Sequence, residues 1–208
     1  MFDFVHTVDW TDAWPYYAGV LLFGYLLGSI PFGLIFTRLS GGGDIRQIGS
    51  GATGATNVLR TGNRWAAAAT LICDAGKGAV AVLLVRAHYN DTMAAFAGLG
   101  ALLGHVYPVW LKFKGGKGGA TALGIGLALY WPVGLVAAAL WIAAVLIWRI
   151  SSLATLIAVA LAPLAMMLAG QPFLALFAFI LALLIFVAHR ENIARLIAGR
   201  EPRIGAKP

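Results

Sequence analysis

Charged side chains are scarce in this sequence. Its 208 residues include only 15 Lys and Arg and 8 Asp and Glu, whereas 61% of the residues are hydrophobic. An ordinary globular domain is about 25% charged and about 45–50% apolar. The shortage of charge excludes a soluble enzyme, a disordered tail and a nucleic-acid-binding protein, despite the net charge of +7. Because a membrane-spanning helix needs about 20 apolar residues, we predict an all-α polytopic membrane protein, with residues 1–208 forming one membrane-embedded domain.

Residues that form disulfides or bind metals are also few. The single cysteine, Cys73, excludes an intrachain disulfide framework and a cysteine-based metal cluster. Only four histidines are present, and the predicted cytoplasmic segments hold no cluster of carboxylates. We therefore expect no metal and no cofactor. The first residues contain Asp3, Asp9 and Asp12 but no Lys or Arg, which argues against a cleaved signal peptide.

Seven long apolar runs predict the membrane spans. They cover residues 15–39, 65–87, 92–111, 119–131, 132–150, 152–169 and 171–188. The fourth and fifth runs divide at Trp131 and Pro132. If that proline only kinks one helix, the count falls to six, but about 30 residues is too long for one ordinary span. We therefore predict seven transmembrane helices, of which the fourth is short.

The distribution of Lys and Arg predicts the orientation, because cytoplasmic loops carry the excess of both. With seven spans, one side receives 13 of the 15 basic residues: Arg38, Arg46, Arg60, Arg64, Lys112, Lys114, Lys117, Arg149, Arg190, Arg195, Arg200, Arg203 and Lys207. Of the other two, Lys77 lies within a span and Arg86 on the opposite side. We therefore expect the N-terminus outside and the C-terminus in the cytoplasm. Merging the fourth and fifth spans would destroy this asymmetry.

Polar residues concentrate in four segments that this topology brings to the cytoplasmic face: residues 41–60, 112–121, 151–155 and 189–192. The first two are rich in glycine, whose backbone N–H groups can form an anion-binding nest. The alternative is a flexible linker whose basic residues only meet lipid headgroups. Neither loop is a Walker A motif, since Lys117 is followed by Gly118 rather than Ser or Thr.

Ionisable residues elsewhere allow structural and functional interpretations. His189 and Asn192 are three residues apart, so a continuing helix would place them on one face, although each could also be an ordinary helix-end residue. Asp74 and Lys77 lie inside a span, where charges are costly, and we expect them to pair with each other rather than contact substrate. For His105 we expect a structural hydrogen bond.

Three motifs, in order, resemble the conserved regions of the bacterial glycerol-3-phosphate acyltransferases of the PlsY family. They cover residues 28–33, 44–46, 49–51 and 54–60, then 104–108 and 112–118, and finally 189–193. The resemblance implies an integral enzyme of the bacterial inner membrane with seven helices and a cytoplasmic active site. It also implies transfer of a fatty acyl group from acyl phosphate, not acyl-CoA, to the 1-hydroxyl of glycerol 3-phosphate. This reaction gives lysophosphatidic acid and phosphate, and is the first step of phospholipid biosynthesis.

The resemblance also assigns the site residues. It implies that a phosphate is held by Ser50, Thr56, Arg60, Lys117, Ser152 and Thr155, and that His189 and Asn192 position glycerol 3-phosphate and its attacking hydroxyl. Thr155 stands where the family usually has Ser, Ala52 where it commonly has Asn, and Ala188 where it often has Arg. The implied partners are the two substrates and membrane lipid, with no nucleic acid and no obligate protein partner.

The sequence favours direct attack of the hydroxyl on the acyl carbonyl. It contains no Gly-x-Ser-x-Gly elbow and no cysteine next to a base. The proton acceptor is either His189 or a phosphate oxygen of the substrate, and substrate assistance is slightly favoured. An anion transporter is the main alternative, since broken helices and Gly-rich segments also build transport sites. A lipid-binding scaffold is a third, but it would not need loops this rich in phosphate-binding residues.

Overall fold

The computed structural model describes the backbone of residues 10–205 and the side chains of residues 13–205. Asp3, Asp9, the side chain of Asp12 and Lys207, all used in the charge argument, lie outside these residues. Across the described backbone the chain forms ten α-helices and no strand, which confirms the all-α class. The helices are α1 (Trp10–Gly28), α2 (Phe32–Leu39), α3 (Ala55–Leu59), α4 (Arg64–His88), α5 (Asp91–Val106), α6 (Gly119–Leu129), α7 (Trp131–Trp148), α8 (Ser151–Leu168), α9 (Pro172–Ala188) and α10 (Arg190–Ile197).

Five helical segments are long and apolar enough to cross a membrane within the described part of the chain. They are Ala13–Leu39, Arg64–His88, Asp91–Leu111, Trp131–Trp148 and Ser151–Leu168. Helix α9 joins them as a sixth if it is counted with α10, from which a bend of 67° separates it, and α6 is a shorter apolar helix. The bounds of the seven apolar segments differ from the predicted runs by at most two residues.

The first apolar run is interrupted between α1 and α2, which the sequence analysis treated as one helix. Pro31 causes the break, because proline lacks an N–H donor and disfavours helical backbone in the residue before it. The carbonyls released by the break are hydrogen-bonded: Lys77 Nζ donates to Ile30 O at 3.0 Å, and Trp110 Nε1 donates to Ser29 O at 2.8 Å. Unwound backbone at membrane depth is thus bonded to protein.

Close backbone contacts between small residues hold the long helices together. Gly24 and Gly28 of α1 lie against Ala97 and Ala101 of α5, where any side chain would overlap the opposing backbone. Small residues at such contacts let helices approach closely enough to gain van der Waals packing, the main attraction between helices in lipid. The same device joins α4 to α6, where Gly124 meets the backbone of Ala75.

Helices α4 and α6 run in the same direction. Gly78 of α4 lies against Thr121 near the start of α6, and Arg86 near the end of α4 donates to the carbonyls of Ala128 and Leu129 at 2.7 and 2.9 Å. The helix then breaks at Tyr130, and Pro132 lies in the first turn of α7. This confirms the predicted division between the fourth and fifth apolar runs. The end of the bundle away from Arg86 contains segments 40–54 and 112–118 and the start of α8.

Candidate active site

Asn57 shapes the first glycine-rich loop from a buried position. Its Nδ2 lies within 2.9 to 3.1 Å of the carbonyl oxygens of Ile45, Ile48 and Ala52, and donates to them. Its Oδ1 accepts from the Ser50 backbone N–H and from Arg60 Nη1, both at 3.3 Å. A single side chain therefore folds the loop around itself and connects it to the guanidinium of Arg60.

Arg60 lies directly over Gly49. The backbone at Gly49 has a φ of +56°, a conformation that side chains rarely adopt. A Cβ at this position would also overlap Arg60 Nη1 and come within 2.6 Å of Asn57 Oδ1. Glycine is required here both by its conformation and by the position of Arg60, which is exposed to solvent.

The second glycine-rich loop folds back onto the end of α5. The N–H groups of Gly115 and Gly116 donate to the carbonyls of Val106 and His105 at 3.1 and 3.0 Å, and the Thr53 N–H donates to Gly115 O at 3.4 Å. These bonds bring the two loops together. Helix α6 begins at Gly119, directly after Lys117 and Gly118, so the positive end of its dipole lies at the loop, as anion binding requires.

Three of the four predicted polar segments meet around one carboxylate, that of Glu201. Lys117 Nζ hydrogen-bonds Asn192 Oδ1, and Asn192 Nδ2 donates to Glu201 Oε1. Ser152 Oγ donates to the same Glu201 oxygen at 2.7 Å, and Arg195 Nε donates to Oε2 at 2.6 Å. We call these five residues, Lys117, Ser152, Asn192, Arg195 and Glu201, the Glu201 cluster. It joins the second loop, the start of α8, α10 and the tail after α10.

Glu201 is a site residue that the sequence analysis missed. Its side chain is only 4% exposed. The tail folds back because the Ile204 N–H donates to Arg149 O at 2.6 Å and Arg149 Nη2 donates to Ile204 O at 3.0 Å. One signal was available in the sequence: after Asn192, Glu201 is the only acidic residue in an otherwise basic tail.

The surroundings of Lys117 lower its pKa. Burial lowers the pKa of Lys117 to about 8, and the positive charges of Arg195 and Arg60 act in the same direction against the opposing effect of Glu201 and Glu191. For Glu201, burial would raise the pKa, but hydrogen bonds from Ser152, Asn192 and Arg195 hold it below its usual value. The cluster therefore contains an ionised carboxylate and a lysine that changes charge near pH 8.

His189 directly follows α9 and is 4% exposed. Its Nδ1 lies 2.9 Å from the carbonyl oxygen of Ile185. Since a carbonyl only accepts, Nδ1 carries the proton, and the neutral ring keeps Nε2 as an acceptor. Burial, aided by the charge of Lys117, lowers the pKa of His189 to about 4 against the opposing effects of the Ile185 bond and Glu201. His189 is thus a neutral hydrogen-bonding group at physiological pH.

The threonines predicted to bind phosphate have protein partners. Thr56 Oγ1 lies 3.0 Å from Ser151 Oγ, which joins α3 to the start of α8. Thr155 Oγ1 donates to Ser151 O at 3.0 Å and accepts from Trp141 Nε1 at 3.1 Å. The structure therefore places Thr155 outside the Glu201 cluster, and its phosphate-binding role stays a prediction. Ser50 lies on the first loop, half-buried.

The intramembrane charges pair as expected. Lys77 Nζ donates to Asp74 Oδ1 at 2.6 Å, and both side chains are 2% exposed. His105 Nδ1 lies 3.6 Å from the same Asp74 oxygen. Among the described side chains, no group of three or more His, Cys, Asp and Glu residues is arranged to hold a metal ion.

The chain is an apolar helical bundle with a cluster of phosphate-binding residue types at one end. Its similarity to known proteins identifies it as a membrane-embedded acyltransferase. Residues 18–199 match the glycerol-3-phosphate acyltransferase family, and the chain belongs to that family. Glycerol-3-phosphate acyltransferases of Mesorhizobium japonicum and Caulobacter vibrioides are 54% and 60% identical to it. The alignments cover 90% and 88% of this chain, and 95% and 86% of theirs.

Two solved structures share the fold. They are described as crystal structures of PlsY, an integral membrane glycerol 3-phosphate acyltransferase, in a glycerol 3-phosphate form and a lysophosphatidic acid form. The first has a TM-score of 0.86 and 40% identity, and the second 0.84 and 39%. Each match covers 91% of this chain, and 96% and 95% of the solved chains respectively. The resemblance on which the sequence analysis depended is confirmed.

Proposed function

We propose that this chain transfers a fatty acyl group from acyl phosphate to the 1-hydroxyl of glycerol 3-phosphate, giving lysophosphatidic acid and phosphate. The observation that carries the proposal is the Glu201 cluster, which joins Lys117, Asn192 and Ser152 beside two glycine-rich loops. Both substrates bear a phosphate, and lysine, asparagine and serine side chains beside glycine-rich loops are groups that bind phosphate. A relative crystallised with glycerol 3-phosphate and with lysophosphatidic acid supports the acceptor and the product.

The proposed roles follow from charge and position. Arg60, Lys117 and Ser152 bind substrate phosphate, with Ser50, Thr56 and Thr155 adding hydroxyl groups. Asn192 and His189 position the acceptor, because His189 offers a free Nε2 next to a cluster that already orients the Asn192 amide. No metal or cofactor enters the proposal.

The proposed chemistry is a direct displacement. The acceptor oxygen bonds to the acyl carbonyl carbon, the bond from that carbon to the phosphate oxygen breaks, and phosphate leaves. The hydroxyl proton passes to a phosphate oxygen of the substrate. The low pKa of His189 supports this choice, because a base whose conjugate acid has a pKa of about 4 takes up a hydroxyl proton poorly. The protein contributes positioning and anion stabilisation.

We also propose seven membrane crossings, with the N-terminus outside and the site facing the cytoplasm of a bacterial inner membrane. The length of α6 alone does not decide whether it crosses the membrane, but its contacts support a crossing. Its 11 residues span about 16 Å, but the loop before it already reaches the level of His105, and Arg86 binds its far end beside the turn from α4 to α5. The short helix thus needs to cover only part of the bilayer.

The test uses purified protein with glycerol 3-phosphate and, in parallel, palmitoyl phosphate or palmitoyl-CoA. Release of phosphate and formation of lysophosphatidic acid are followed. With glycerol 3-phosphate present, we expect turnover when palmitoyl phosphate is the donor and none when palmitoyl-CoA is the donor. Turnover only with the CoA ester would overturn the donor while keeping the acyltransferase.

Variants in the second loop supply the matched control. Lys117→Ala should raise the Michaelis constant for glycerol 3-phosphate, whereas Lys114→Ala, on the same loop but exposed, should leave it unchanged. An unchanged constant in Lys117→Ala would count against its role. Absence of turnover from well-folded wild-type protein would direct attention to anion flux in liposomes, although the paired Asp74 and Lys77 do not favour a transport site.

A further inference from the structure

His105 lies beneath the second glycine-rich loop, outside the residues to which a role in the reaction has been given. It is in the last turn of α5 and 5% exposed. Its backbone carbonyl accepts from the Gly116 N–H at 3.0 Å, and its ring faces the same residue. The loop is therefore held at Gly116 by both the main chain and the side chain of one histidine.

The contact between the ring and Gly116 is tight. A Cβ on Gly116 would overlap His105 Nε2 and lie 2.6 Å from Cε1. Gly116 is not among the described residues with positive φ, so the backbone conformation does not require glycine there. The space taken by the imidazole does.

The carboxylate of Asp74 lies near the other nitrogen of the ring. Its Oδ1 lies 3.6 Å from His105 Nδ1 and accepts from Lys77 Nζ at 2.6 Å, and Lys77 in turn donates to Ile30 O at 3.0 Å. At 3.6 Å this contact is longer than a hydrogen bond, so the carboxylate limits the position of the ring by packing beside it. Helices α4 and α5 and the break between α1 and α2 thereby meet around the ring.

We propose that His105, packed between Asp74 and Gly116, is a positioning residue that sets the place of the Lys117 ammonium in the site. Lys117 follows Gly116 directly, and consecutive Cα atoms are about 3.8 Å apart, so a displacement of Gly116 carries over to Lys117. The inference depends on the proposed phosphate-binding role of Lys117. It assigns the buried charges of α4 a role in substrate binding in addition to stabilising the fold.

A double-mutant cycle tests whether His105 acts through Lys117. We expect His105→Ala to raise the Michaelis constant for glycerol 3-phosphate, which Lys117→Ala also raises, by about tenfold. A misplacement of about 1 Å can cost about 100-fold in rate, so a smaller displacement of Lys117 accounts for this factor. Adding His105→Ala to Lys117→Ala should change that constant by less than about twofold, since the lysine is no longer present to be displaced. Equal factors in both backgrounds, or no rise in the single variant, would overturn the proposal.

Two further variants address folding. Gly116→Ala should raise the same constant in wild-type protein and have less effect with His105→Ala, where the ring no longer obstructs the methyl group. If His105→Ala is poorly folded, Gly116→Ala in the wild-type background decides the question, because it keeps the histidine and displaces the loop from it, and an unchanged constant would overturn the proposal. Arg86→Gln, which breaks contacts between α4 and α6 at the far end, is the control: it should lower the thermal midpoint without changing either Michaelis constant. Absence of turnover in wild-type protein would count against the proposed function, whereas additive effects in an active protein would count against His105 alone.

Discussion

The charge of Lys117 depends on pH within the range where enzymes are assayed. Its pKa is about 8, so the ammonium is present below that pH and is lost above it. A phosphate monoester is already close to its dianion at pH 7, because its second pKa is about 6. We expect the Michaelis constant for the substrate held by Lys117 to rise between about pH 7 and pH 9.5. In Lys117→Arg the rise should disappear, since a guanidinium stays charged across this range. The same rise in both proteins would contradict the assignment.

Gly49 carries the second prediction about a single residue. Gly49→Ala should displace Arg60 and raise a Michaelis constant by about tenfold, because a charged hydrogen bond contributes on the order of 1.5–3 kcal/mol. Gly43→Ala is the matched control: Gly43 has a similar φ of +69°, but a Cβ there would meet nothing within 4 Å. Both variants should lose about 1 kcal/mol of stability from backbone strain, and only Gly49→Ala should change the kinetics. Equal kinetic effects would show that the strain, not Arg60, is responsible.

The sequence indicated most single site residues but not their partners. Ser152, Asn192 and Lys117 lie in short polar segments next to apolar runs, and the family resemblance assigned them roles. Glu201 is marked in the sequence only as the one acidic residue of a basic tail, and its partners arise only when the tail folds back to Arg149. The contact of His105 with Gly116 was equally hidden, because it depends on how the loop after α5 turns back onto that helix.

Arg86 stabilises the short helix α6 by binding two of its last carbonyls. Arg86→Gln should lower the free energy of unfolding by about 1–3 kcal/mol, the usual value of hydrogen bonds to a charged group. Asp91→Asn removes only the ion pair of Arg86 with a largely exposed carboxylate and should cost less than about 1 kcal/mol. Thermal unfolding in detergent measures both. Equal losses would mean that the carbonyl contacts contribute little.

Helices were predictable where hydrophobicity alone decides them. Each apolar run had to become helical to satisfy its backbone in lipid, so the predicted bounds of α4 and of α6 to α9 lie within two residues of the observed ones, whereas α5 ends at Val106, before the predicted end of its run at 111. Two features escaped this reasoning. The break before Pro31 lies inside apolar sequence, and α10 is amphipathic and too short for hydropathy to detect.

At the scale of the whole molecule, membrane topology is open to a direct test. In a Cys73→Ser background, single cysteines at Tyr89, Trp131 and Leu168, all exposed, should react with an impermeant maleimide from outside the cell. Cysteines at Lys114 and Arg200 should react only after lysis. If α6 does not cross, Trp131 and Leu168 should label from the inside and Arg200 from the outside.

The return of the tail to Arg149 has a consequence for biosynthesis. Every apolar segment is in place once α9 has entered the membrane, but Asn192, Arg195 and Glu201 come later in the chain and complete the Glu201 cluster. A nascent or prematurely terminated chain that ends after α9 would keep Arg60, Lys117 and Ser152 but lack His189 and Asn192, which we propose position the acceptor. From these proposed roles we expect membrane insertion and activity to be separate events, with the residues after α9 determining when the chain becomes an enzyme.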